Sequence, residues 1–473
     1  MVPQGDPVMR VTLTLTEQHH LQLQQHLFPG DGKEAAAILL CGRAMGAHSH
    51  RLLVREVHAI PYSECSVRTP VQLRWGTDFI VPLLDRSARE GWTMVKVHSH
   101  PTGIPEFSEA DTIGDLRLLP AIHDWVEAYD RLHGSVVMLP NGEMFGRYIN
   151  QREVFTFFDA IQCVGEDLRR WATGAVLGES AASHAAVFGE ETFRLFGDMS
   201  IAVIGCSGTG APLIEQIARL APRELVLVDD DVVEKRNLNR IPNARKKDAE
   251  AKRRKVDVLA DAIRRMGLGT TIRVVSKNLW DADAVRAVAE CDVAFGCMDS
   301  IDGRFLLNLL TTDYIIPYID VGVRLVASEK DGSIQAACGS IHYLQPGGSS
   351  LLSRGLFTLE DVRAAGLRRN DPTAHAQQVK DGYIRGAPTS RPAVISINFQ
   401  LAAMAVTELL ARLHPFRDSP NRTYEHLQLD LADMTILHEQ HGQACPILKG
   451  RVGLGDRNPL LGLPELSDRV KHD

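Results

Sequence analysis

The chain has 473 residues, of which 44% are hydrophobic, and this length predicts two to four domains with enough apolar residues for folded cores. The formal net charge of -7 argues against nucleic acid as the principal partner. Eight cysteines without framework spacing, no apolar run long enough to cross a bilayer and no signal-peptide core together predict a cytoplasmic protein without a membrane partner.

Apolar periodicity predicts a mixed α/β domain over residues 1–150. It opens with a strand at Val11 to Leu15 and a helix at Glu17 to Leu27, which Pro29-Gly30 stops. Turn residues at Pro140-Asn141-Gly142 indicate that a hairpin closes the domain. The other predicted elements are strands at Ala36 to Cys41, Leu52 to Val57 and Thr93 to Val97, a helix through Leu84 to Glu90, an apolar-periodic stretch from Asp111 toward Val126, and hairpin strands at Gly134 to Leu139 and Phe145 to Tyr148.

The strand Thr93 to Val97 leads into the motif His98-Ser99-His100. Because side chains alternate along a strand, His98 and His100 project from one face and can coordinate one metal ion. Ser108 opens a helix-like stretch after seven further residues, and Asp111 lies one turn on, where its carboxylate can act as a third ligand. Two imidazoles and a carboxylate leave the fourth position of a tetrahedral zinc open, which is typical of a catalytic site.

Two simpler interpretations apply to parts of this motif. Ser108 and Asp111 can be a plain capping pair that satisfies backbone donors at a helix start. The same His-x-His tripeptide also occurs at His48-Ser49-His50 without a Ser-x-x-Asp behind it. We expect no metal at that second tripeptide, because an isolated His-x-His is a weak signal.

The combination of His-x-His, seven residues and Ser-x-x-Asp resembles the JAB/JAMM metalloprotease family, the isopeptidases that cut ubiquitin-like proteins. The resemblance implies that His98, His100 and Asp111 are zinc ligands and that Ser108 helps to stabilise the oxyanion. It also implies a general base just before an early apolar strand, a position that Glu34 occupies. Without the zinc motif, a glutamate at that position would be interpreted as solvated.

Residues 151–198 are predicted to form a helical connector that contains an Ala/Ser-rich stretch at Ala175 to Ala186. The next domain, over residues 199–445, begins with a buried strand that runs into a glycine-rich turn, and a helix begins near Ala211. Backbone N–H groups of such a turn, together with the helix N-terminus, form a cradle for phosphate. The turn alone would also suit a nicotinamide dehydrogenase, although Ser207 departs from the dinucleotide pattern of glycines.

Polar residues further along the chain distinguish between these two kinds of nucleotide site. The strand Glu224 to Val228 ends at an acidic run that could hold ribose hydroxyls in either kind. Two cations, an asparagine and a second aspartate aimed at the same crevice suit a triphosphate with magnesium. The whole set resembles the ThiF/MoeB family of adenylyltransferases, the nucleotide-binding core of ubiquitin-activating enzymes.

The ThiF/MoeB resemblance implies a role for each polar residue of the set. It implies a ribose ligand at Asp229, phosphate contacts from Asn237, Arg240 and Lys255, a magnesium ligand at Asp299, a phosphate loop containing Gly205, Ser207, Gly208 and Gly210, and supporting roles for Asp231 and Arg304. Lys252 is an alternative to Lys255, since both lie in one mixed charge run.

Three departures from the ThiF/MoeB pattern shape the predicted mechanism. Ser183 to Gly189 lacks the arginine that reaches into the partner subunit's site in these dimeric enzymes. The family's two Cys-x-x-Cys pairs are reduced to Cys445, which predicts that no structural zinc is bound. No cysteine lies between Pro346 and Pro392, and Cys338 is expected to be a buried residue of a strand at Ile334 to Tyr343. We therefore expect adenylation without a thioester on this chain.

The sequence as a whole predicts an α/β protein. An N-terminal JAB/JAMM α/β metalloprotease domain precedes a Rossmann-like ThiF/MoeB domain with a mainly parallel sheet. In the second domain we expect a strand at Pro317 to Val323, a long helix from Val394 to Leu413 and a strand pair within Leu427 to His438. Residues 446–473 are expected to form a weakly ordered tail.

Together the two resemblances imply a bifunctional enzyme that uses zinc, ATP and magnesium. One half would trim or deconjugate the tail of a separately encoded ubiquitin-like or sulfur-carrier protein, and the other would adenylate its C-terminal carboxylate. A homodimer and a conjugating enzyme or sulfurtransferase are the further partners implied. The alternatives are adenylation of a small peptide or metabolite carboxylate, and a scaffold whose second half is inactive.

Overall fold

The computed structural model describes residues 9–127, 130–149, 154–173, 189–328, 331, 333–380 and 394–467. The chain divides into two compact units. The first comprises Met1–Gly174, Asp313–Ile315 and Arg451–Arg457, and the second comprises Ala175–Thr312, Ile316–Gly450 and Asn458–Asp473. Both units combine helices with a large sheet that contains parallel strands, which confirms the predicted α/β class.

The first unit is built around a nine-stranded sheet. Its strands are β1 Arg10–Thr16, β2 Ala36–Met45, β3 Ser49–Ala59, β6 Thr93–Ser99, β7 His133–Met138, β8 Met144–Ile149, β9 Phe155–Phe157, β10 Ala160–Val164 and β11 Leu168–Ala172, while β4 Cys65–Thr69 and β5 Gln72–Trp75 form a separate hairpin. The spatial order is β11-β10-β1-β3-β2-β6-β7-β8-β9. The helices of the unit are Glu17–Leu27, Val81–Glu90 and Glu109–Val126.

The central strand β2 is apolar on both of its faces. Alternate residues such as Ala37 and Leu39 join the core on the side of helix Glu17–Leu27. Their neighbours, including Ile38, pack on the other side with leucines of helix Val81–Glu90. A strand buried on both faces has no place for polar side chains except at its ends.

The predicted helical connector at residues 151–198 is wrong over its first half. Residues 155–172 form β9, β10 and β11, and β10 pairs in parallel with β1 of the first sheet. The side chains of Phe158, Ile161 and Cys163 are buried in the core of that sheet, which favours strands over a free helix. A helix does occur at Glu190–Asp198, whereas Ala175 to Ala186 lies outside the described residues.

The second unit contains an eight-stranded mixed sheet. Its strands are β12 Ser200–Ile204, β13 Glu224–Val228, β14 Thr271–Val275, β15 Val293–Gly296, β16 Tyr318–Ala327, β17 Ile334–Leu344, β18 His426–Asp430 and β19 Thr435–Glu439. The order is β14-β13-β12-β15-β16-β17-β18-β19, with the first five strands parallel and the last three antiparallel additions. The later helices of the chain are Glu190–Asp198, Gly210–Arg219, Lys246–Glu250, Lys255–Met266, Ala282–Ala289, Ile301–Asp313, Leu359–Asn370, Pro372–Lys380 and Ile395–Leu413.

The expectation of a weakly ordered tail over residues 446–473 is wrong for the part that the structure describes. Short 3-10 helices form at Leu460–Gly462 and Pro464–Leu466, and the side chains of Leu460, Leu461 and Leu466 are buried. Apolar burial therefore fixes this part of the segment. Among the helices described, none is both long and apolar enough to span a membrane.

Helix Ile395–Leu413 carries a buried ion pair that makes a stability test possible. The Arg412 Nε donates to Glu408 Oε1 at 2.7 Å, and Arg417 also donates to that carboxylate, at 2.5 Å. Because Glu408→Ala would leave a fully buried guanidinium without its countercharge, we expect a loss of about 3–5 kcal/mol in the free energy of unfolding. Urea denaturation followed by circular dichroism measures this loss. The exposed neighbour Thr407 provides the control, and a Glu408→Ala midpoint equal to that of Thr407→Ala would contradict the expectation.

Candidate functional site

Three potential metal ligands meet at the end of β6 in the first unit. His98 and His100 are only 3% and 6% exposed, and their Nε2 atoms lie 3.2 Å apart. The Asp111 carboxylate approaches both rings, with Oδ1 2.9 Å from the His98 Nε2 and Oδ2 3.3 Å from the His100 Nε2. The structure thus brings together the ligand set that the motif predicts, at distances that allow one ion to be shared.

Helix capping and ligand positioning occur together at Asp111. The Ser108 backbone N–H and hydroxyl donate to Asp111 Oδ2 at 2.8 and 2.7 Å, and the Asp111 N–H donates to the Ser108 Oγ at 3.1 Å. This capping box begins helix Glu109–Val126 and fixes the carboxylate toward the two histidines. The capping and the metal interpretations of this pair are therefore compatible.

The His100 ring is oriented by its other nitrogen. Its Nδ1 lies 2.9 Å from the Ile104 carbonyl oxygen, and an N–H donated there fixes the ring so that Nε2 faces Asp111. By contrast, the second tripeptide places His50 on β3, where it joins no group of three possible ligands among the described residues.

Burial and hydrogen bonding shift the pKa values of the three ligands in different directions. Burial, followed by the charge of Lys96, lowers the pKa of His98. Burial would raise the pKa of Asp111, but hydrogen bonds from His100 and His98 outweigh it and lower that pKa. Burial would lower the pKa of His100, but its hydrogen bonds to Asp111 and the Ile104 carbonyl outweigh burial and raise it. Zinc binds neutral imidazole and ionised carboxylate, so binding would release any proton held by His100, and two imidazoles with one carboxylate are donor types that fit this ion.

Glu34 lies immediately before β2, beside the three ligands. Its N–H donates to the Thr69 carbonyl at 2.9 Å, and β2 and β6 are in register so that Ala36 lies opposite His98. Burial raises the pKa of Glu34 to about 7, with His100 opposing and Asp111 adding to the shift. A carboxyl group with this pKa can accept and release a proton near neutral pH.

The second candidate site lies where β12 of the second unit runs into the glycine-rich turn. Gly205 has φ +91°, a conformation that favours glycine, and a Cβ there would lie 2.7 Å from the Cys297 carbonyl oxygen. A Cβ at Gly210 would meet the Gly205 carbonyl at 1.8 Å. The tight turn therefore depends on both glycines. It contains Ser207 and leads into helix Gly210–Arg219.

Asp229 connects the end of β13 to this turn. Its Oδ2 accepts the Cys206 N–H at 2.7 Å and its Oδ1 accepts the Asp231 N–H at 2.9 Å. The Lys255 ammonium lies 2.6 Å from Asp231 and 3.7 Å from Asp229. Lys255 is buried among these carboxylates whereas Lys252 is exposed, so the structure brings the predicted lysine, and not its alternative, to the turn.

The remaining predicted residues come after the carboxyl ends of neighbouring strands of the same sheet. Asn237 is buried, and its Oδ1 caps the 3-10 helix Lys235–Asn237 by accepting the Glu234 N–H at 3.0 Å. The half-buried Arg240 contacts the turn at Gly208, where its Cδ lies 3.2 Å from the position of an added Cβ. Asp299 is exposed three residues after β15. Because β12, β13 and β15 are parallel neighbours, their carboxyl ends place these groups along one edge.

Arg304 has a structural partner that no motif predicted. Its Nε donates to Asp320 Oδ1 at 2.9 Å, and the Tyr318 hydroxyl also donates to that fully buried carboxylate. Burial alone would lower the pKa of Arg304, but the charge of Asp320 raises it. Asp320 was missed because an aspartate inside an apolar strand carries no spacing signal.

Cys338 occupies β17 as predicted, but the expectation that it is buried is wrong. The side chain is half-buried, because burial on β17 begins only beyond residue 338. Within the described part of the chain, Cys445 is buried and its N–H donates to the Gly348 carbonyl at 2.9 Å.

Three histidines of the second unit also lie close together: His342, His426 and His441. The rings of His342 and His426 are stacked, with centroids 4.0 Å apart and an interplanar angle of 15°. Ring nitrogen lone pairs lie in the ring plane, so stacked rings do not aim them at one ion. The Arg354 Nη1 also lies 3.3 Å from the His342 Nδ1. This arrangement is typical of ring packing against a guanidinium.

Two family models match this chain, one over most of each unit. The model of the ThiF family matches residues 181–446, and that of prokaryotic homologs of the JAB domain matches residues 16–146. Similar curated proteins include the SAMP-activating enzyme E1 of Haloferax volcanii, 32% identical over 23% of this chain and 39% of that protein. The adenylyltransferase and sulfurtransferase MOCS3 of Sus scrofa is 34% identical over 23% of this chain and 24% of its own length. The chain therefore spans less than half of either relative.

Among solved structures, E. coli MccB aligns with part of this chain. A crystal structure of MccB with ATP aligns over 58% of this chain and 75% of that chain, with a TM-score of 0.42 and 15% sequence identity.

The ligand cluster in the first unit can be tested by metal analysis. We expect His98→Ala to lose zinc that the wild type retains at about one ion per chain, because two ligands rarely hold zinc in a protein. Elemental analysis after dialysis measures the content. His50→Ala is the matched control, and equal zinc in His98→Ala and His50→Ala would show that the ion binds elsewhere.

The two lysines of the charge run form a matched pair for the second site. Lys255→Gln should weaken ATP binding about tenfold or more, because one charge-assisted hydrogen bond to phosphate is lost. Lys252→Gln should bind ATP like the wild type. Titration of ATP in thermal melts measures both affinities, and an effect confined to Lys252→Gln would reverse the assignment.

Proposed function

We propose that this chain, which belongs to the ThiF family and carries a JAB domain ahead of its ThiF domain, is a bifunctional enzyme acting on one protein tail. The ThiF domain would use ATP to adenylate the C-terminal carboxylate of a separate ubiquitin-like or sulfur-carrier protein. The JAB domain would hydrolyse peptide or isopeptide bonds at that tail. The observation that carries the proposal is that one chain assembles both polar clusters, one at His98 and the other at Asp229.

Hydrolysis would take place at the cluster in the first unit. His98, His100 and Asp111 would hold a zinc ion, which when bound supplies a Lewis acid for water and carbonyl activation. The ionised Glu34 would accept a proton from the attacking water and pass it to the leaving amine. The Ser108 hydroxyl, 2.7 Å from Asp111, would turn to donate to the oxyanion that develops on the substrate.

Adenylation would take place along the strand ends of the second unit. The substrate carboxylate would attack the α-phosphorus of ATP, and the bond to pyrophosphate would break. Backbone N–H groups of the glycine turn would donate to phosphate oxygens, with Asn237, Arg240 and Lys255 supplying side-chain contacts. Asp229 would accept from the ribose hydroxyls, and Asp299 would hold magnesium, a cation that prefers carboxylate and phosphate oxygens.

The names of the similar proteins support a protein tail as the substrate. They include a SAMP-activating enzyme, and also a ubiquitin-like modifier-activating enzyme 5 from Drosophila persimilis, 22% identical over 43% of this chain. A single chain carrying both activities would raise the effective concentration of one product at the other site. Since no cysteine lies between Pro346 and Pro392, the acyl group would pass to a partner, such as a conjugating enzyme or sulfurtransferase. We propose that the enzyme acts as a homodimer in the cytoplasm.

Glu34→Gln should retain zinc and lose hydrolysis, because the amide cannot accept a proton. In the wild type, hydrolysis should fall as the pH drops below about 7, since the protonated base is inactive and burial raises the pKa of Glu34 to that value. Cleavage of a modifier with extra C-terminal residues, followed across pH, measures both effects. Efficient cleavage by Glu34→Gln would exclude it as the base.

Asp299→Ala should abolish magnesium-dependent pyrophosphate exchange while hydrolysis continues, because only the second site depends on this carboxylate. Loss of both activities in this variant would instead indicate misfolding.

The natural substrate can be sought in the small-protein fraction of the source cell by intact-mass spectrometry with zinc, magnesium and ATP. A protein that shortens only when Glu34 is present and gains AMP only when Asp299 is present would be the modifier. If no small protein changes, a peptide or metabolite carboxylate replaces the modifier as the proposed substrate.

A further inference from the structure

Asn398 is a buried polar residue whose side-chain amide takes no part in the hydrogen bonds given above. It lies in the first turn of helix Ile395–Leu413 and is only 2% exposed. Across the described part of the chain, its Nδ2 has no hydrogen-bond partner. Burying an amide donor without a partner is costly, and folded proteins usually satisfy such a donor with a protein group, an ordered water or a ligand.

The unpartnered amide points at the glycine-rich turn. A Cβ built on Gly208 would lie 2.8 Å from the Asn398 Nδ2, and the Arg240 Cδ would lie 3.2 Å from the same Cβ. Helix Ile395–Leu413 packs against helix Gly210–Arg219, which the turn begins. The absence of a side chain at Gly208 therefore leaves room for the asparagine amide and for the arginine together.

The groups around Gly208 share one chemical character. The amide nitrogen of Asn398 is a donor only, Arg240 is a cation, and the first turns of both helices present N–H groups that lack helical acceptors. The electrostatics of helix N-termini favour negative charge at the same place. A ligand that offers anionic oxygens satisfies all of these groups together.

We propose that the Asn398 side-chain amide binds a phosphate oxygen of the nucleotide held over Gly208. The inference rests on the proposed adenylation and adds a residue to that site from a helix nearly two hundred residues further along the chain. It also gives Gly208 a separate purpose from Gly205 and Gly210, which the tight turn itself requires. In this arrangement, nucleotide binding completes the hydrogen bonding of the N-terminal end of helix Ile395–Leu413.

Thermal melts of the full chain with ATP and magnesium, and with adenosine, test the proposal. In Asn398→Leu, which removes the donor but fills the space, the melting temperature without nucleotide should stay the same or rise. The ATP concentration for half-maximal stabilisation should rise about tenfold, as expected for one lost hydrogen bond to a charged group. Asn398→Asp should lose more, because a carboxylate repels phosphate. Adenosine should stabilise Asn398→Leu and the wild type alike, and the exposed Gln400→Ala should match the wild type throughout.

Two results would overturn the proposal. A lower melting temperature in Asn398→Leu with unchanged ATP affinity would show that the amide serves only the fold, and an equal loss of adenosine binding would show that its contact is not with phosphate. Wild-type chain that neither responds to ATP nor catalyses pyrophosphate exchange would instead overturn the adenylation itself. The wild-type and variant results therefore separate failure of this inference from failure of the proposed function.

Discussion

Both candidate sites depend on the same constraint: inside a strand that is buried on both faces, a polar side chain needs a buried partner, as Asp320 has in Arg304, whereas at the end of the strand it can face a ligand. In the first unit, β2 and β6 are paired in the centre of the sheet, so Glu34 precedes one buried strand and His98 ends the other beside it. In the second unit, β12, β13 and β15 are buried throughout and parallel. Their carboxyl ends place the glycine turn and Asp229 at one edge, where ligands bind in open α/β sheets.

Capping interactions fix the functional side chains once the strands have placed them. The hydrogen bonds that begin helix Glu109–Val126 orient the Asp111 carboxylate, and a similar cap at Lys235–Asn237 orients Asn237. A side chain that is already held by its own backbone loses little further conformational freedom when it binds a ligand. Local helix chemistry therefore preorganises both sites, which explains why a capping motif and a ligand motif coincide in this sequence.

The sequence was most informative where chemistry and local structure share one stretch. The strand before His98, the helix after Ser108 and the turn at Gly205 were all predictable, because alternation, capping and glycine conformation leave marks over a few residues. Long-range pairing leaves no such mark. β10 was mistaken for helix because its partner β1 lies about 150 residues earlier. Its neighbours β9 and β11 pair locally with β8 and β10, but they are only three and five residues long.

Residues that act through distant partners were missed for the same reason. Asp320 and Asn398 belong to no short motif, and their significance appears only when the fold brings them to Arg304 and Gly208. Half-burial of Cys338 was likewise unpredictable, because β17 is covered along only part of its length and alternation alone does not show which part.

The exposure of each anionic partner separates structural cations from cations that can bind a ligand. Arg304 and Arg412 pair with Asp320 and Glu408, which are fully buried, so moving either guanidinium to a ligand would leave a carboxylate without charge compensation in the interior. The Lys255 side chain is also buried, and its ammonium lies 2.6 Å from Asp231, whose side chain is 69% exposed, and 3.7 Å from the buried Asp229. When a phosphate replaces Asp231 as the partner of Lys255, the exposed Asp231 carboxylate is solvated by water at little cost. Of these three cations, Lys255 is therefore the one whose nearest partner can leave at little cost, while Asp229 stays beside it, and this supports the phosphate contact proposed for Lys255.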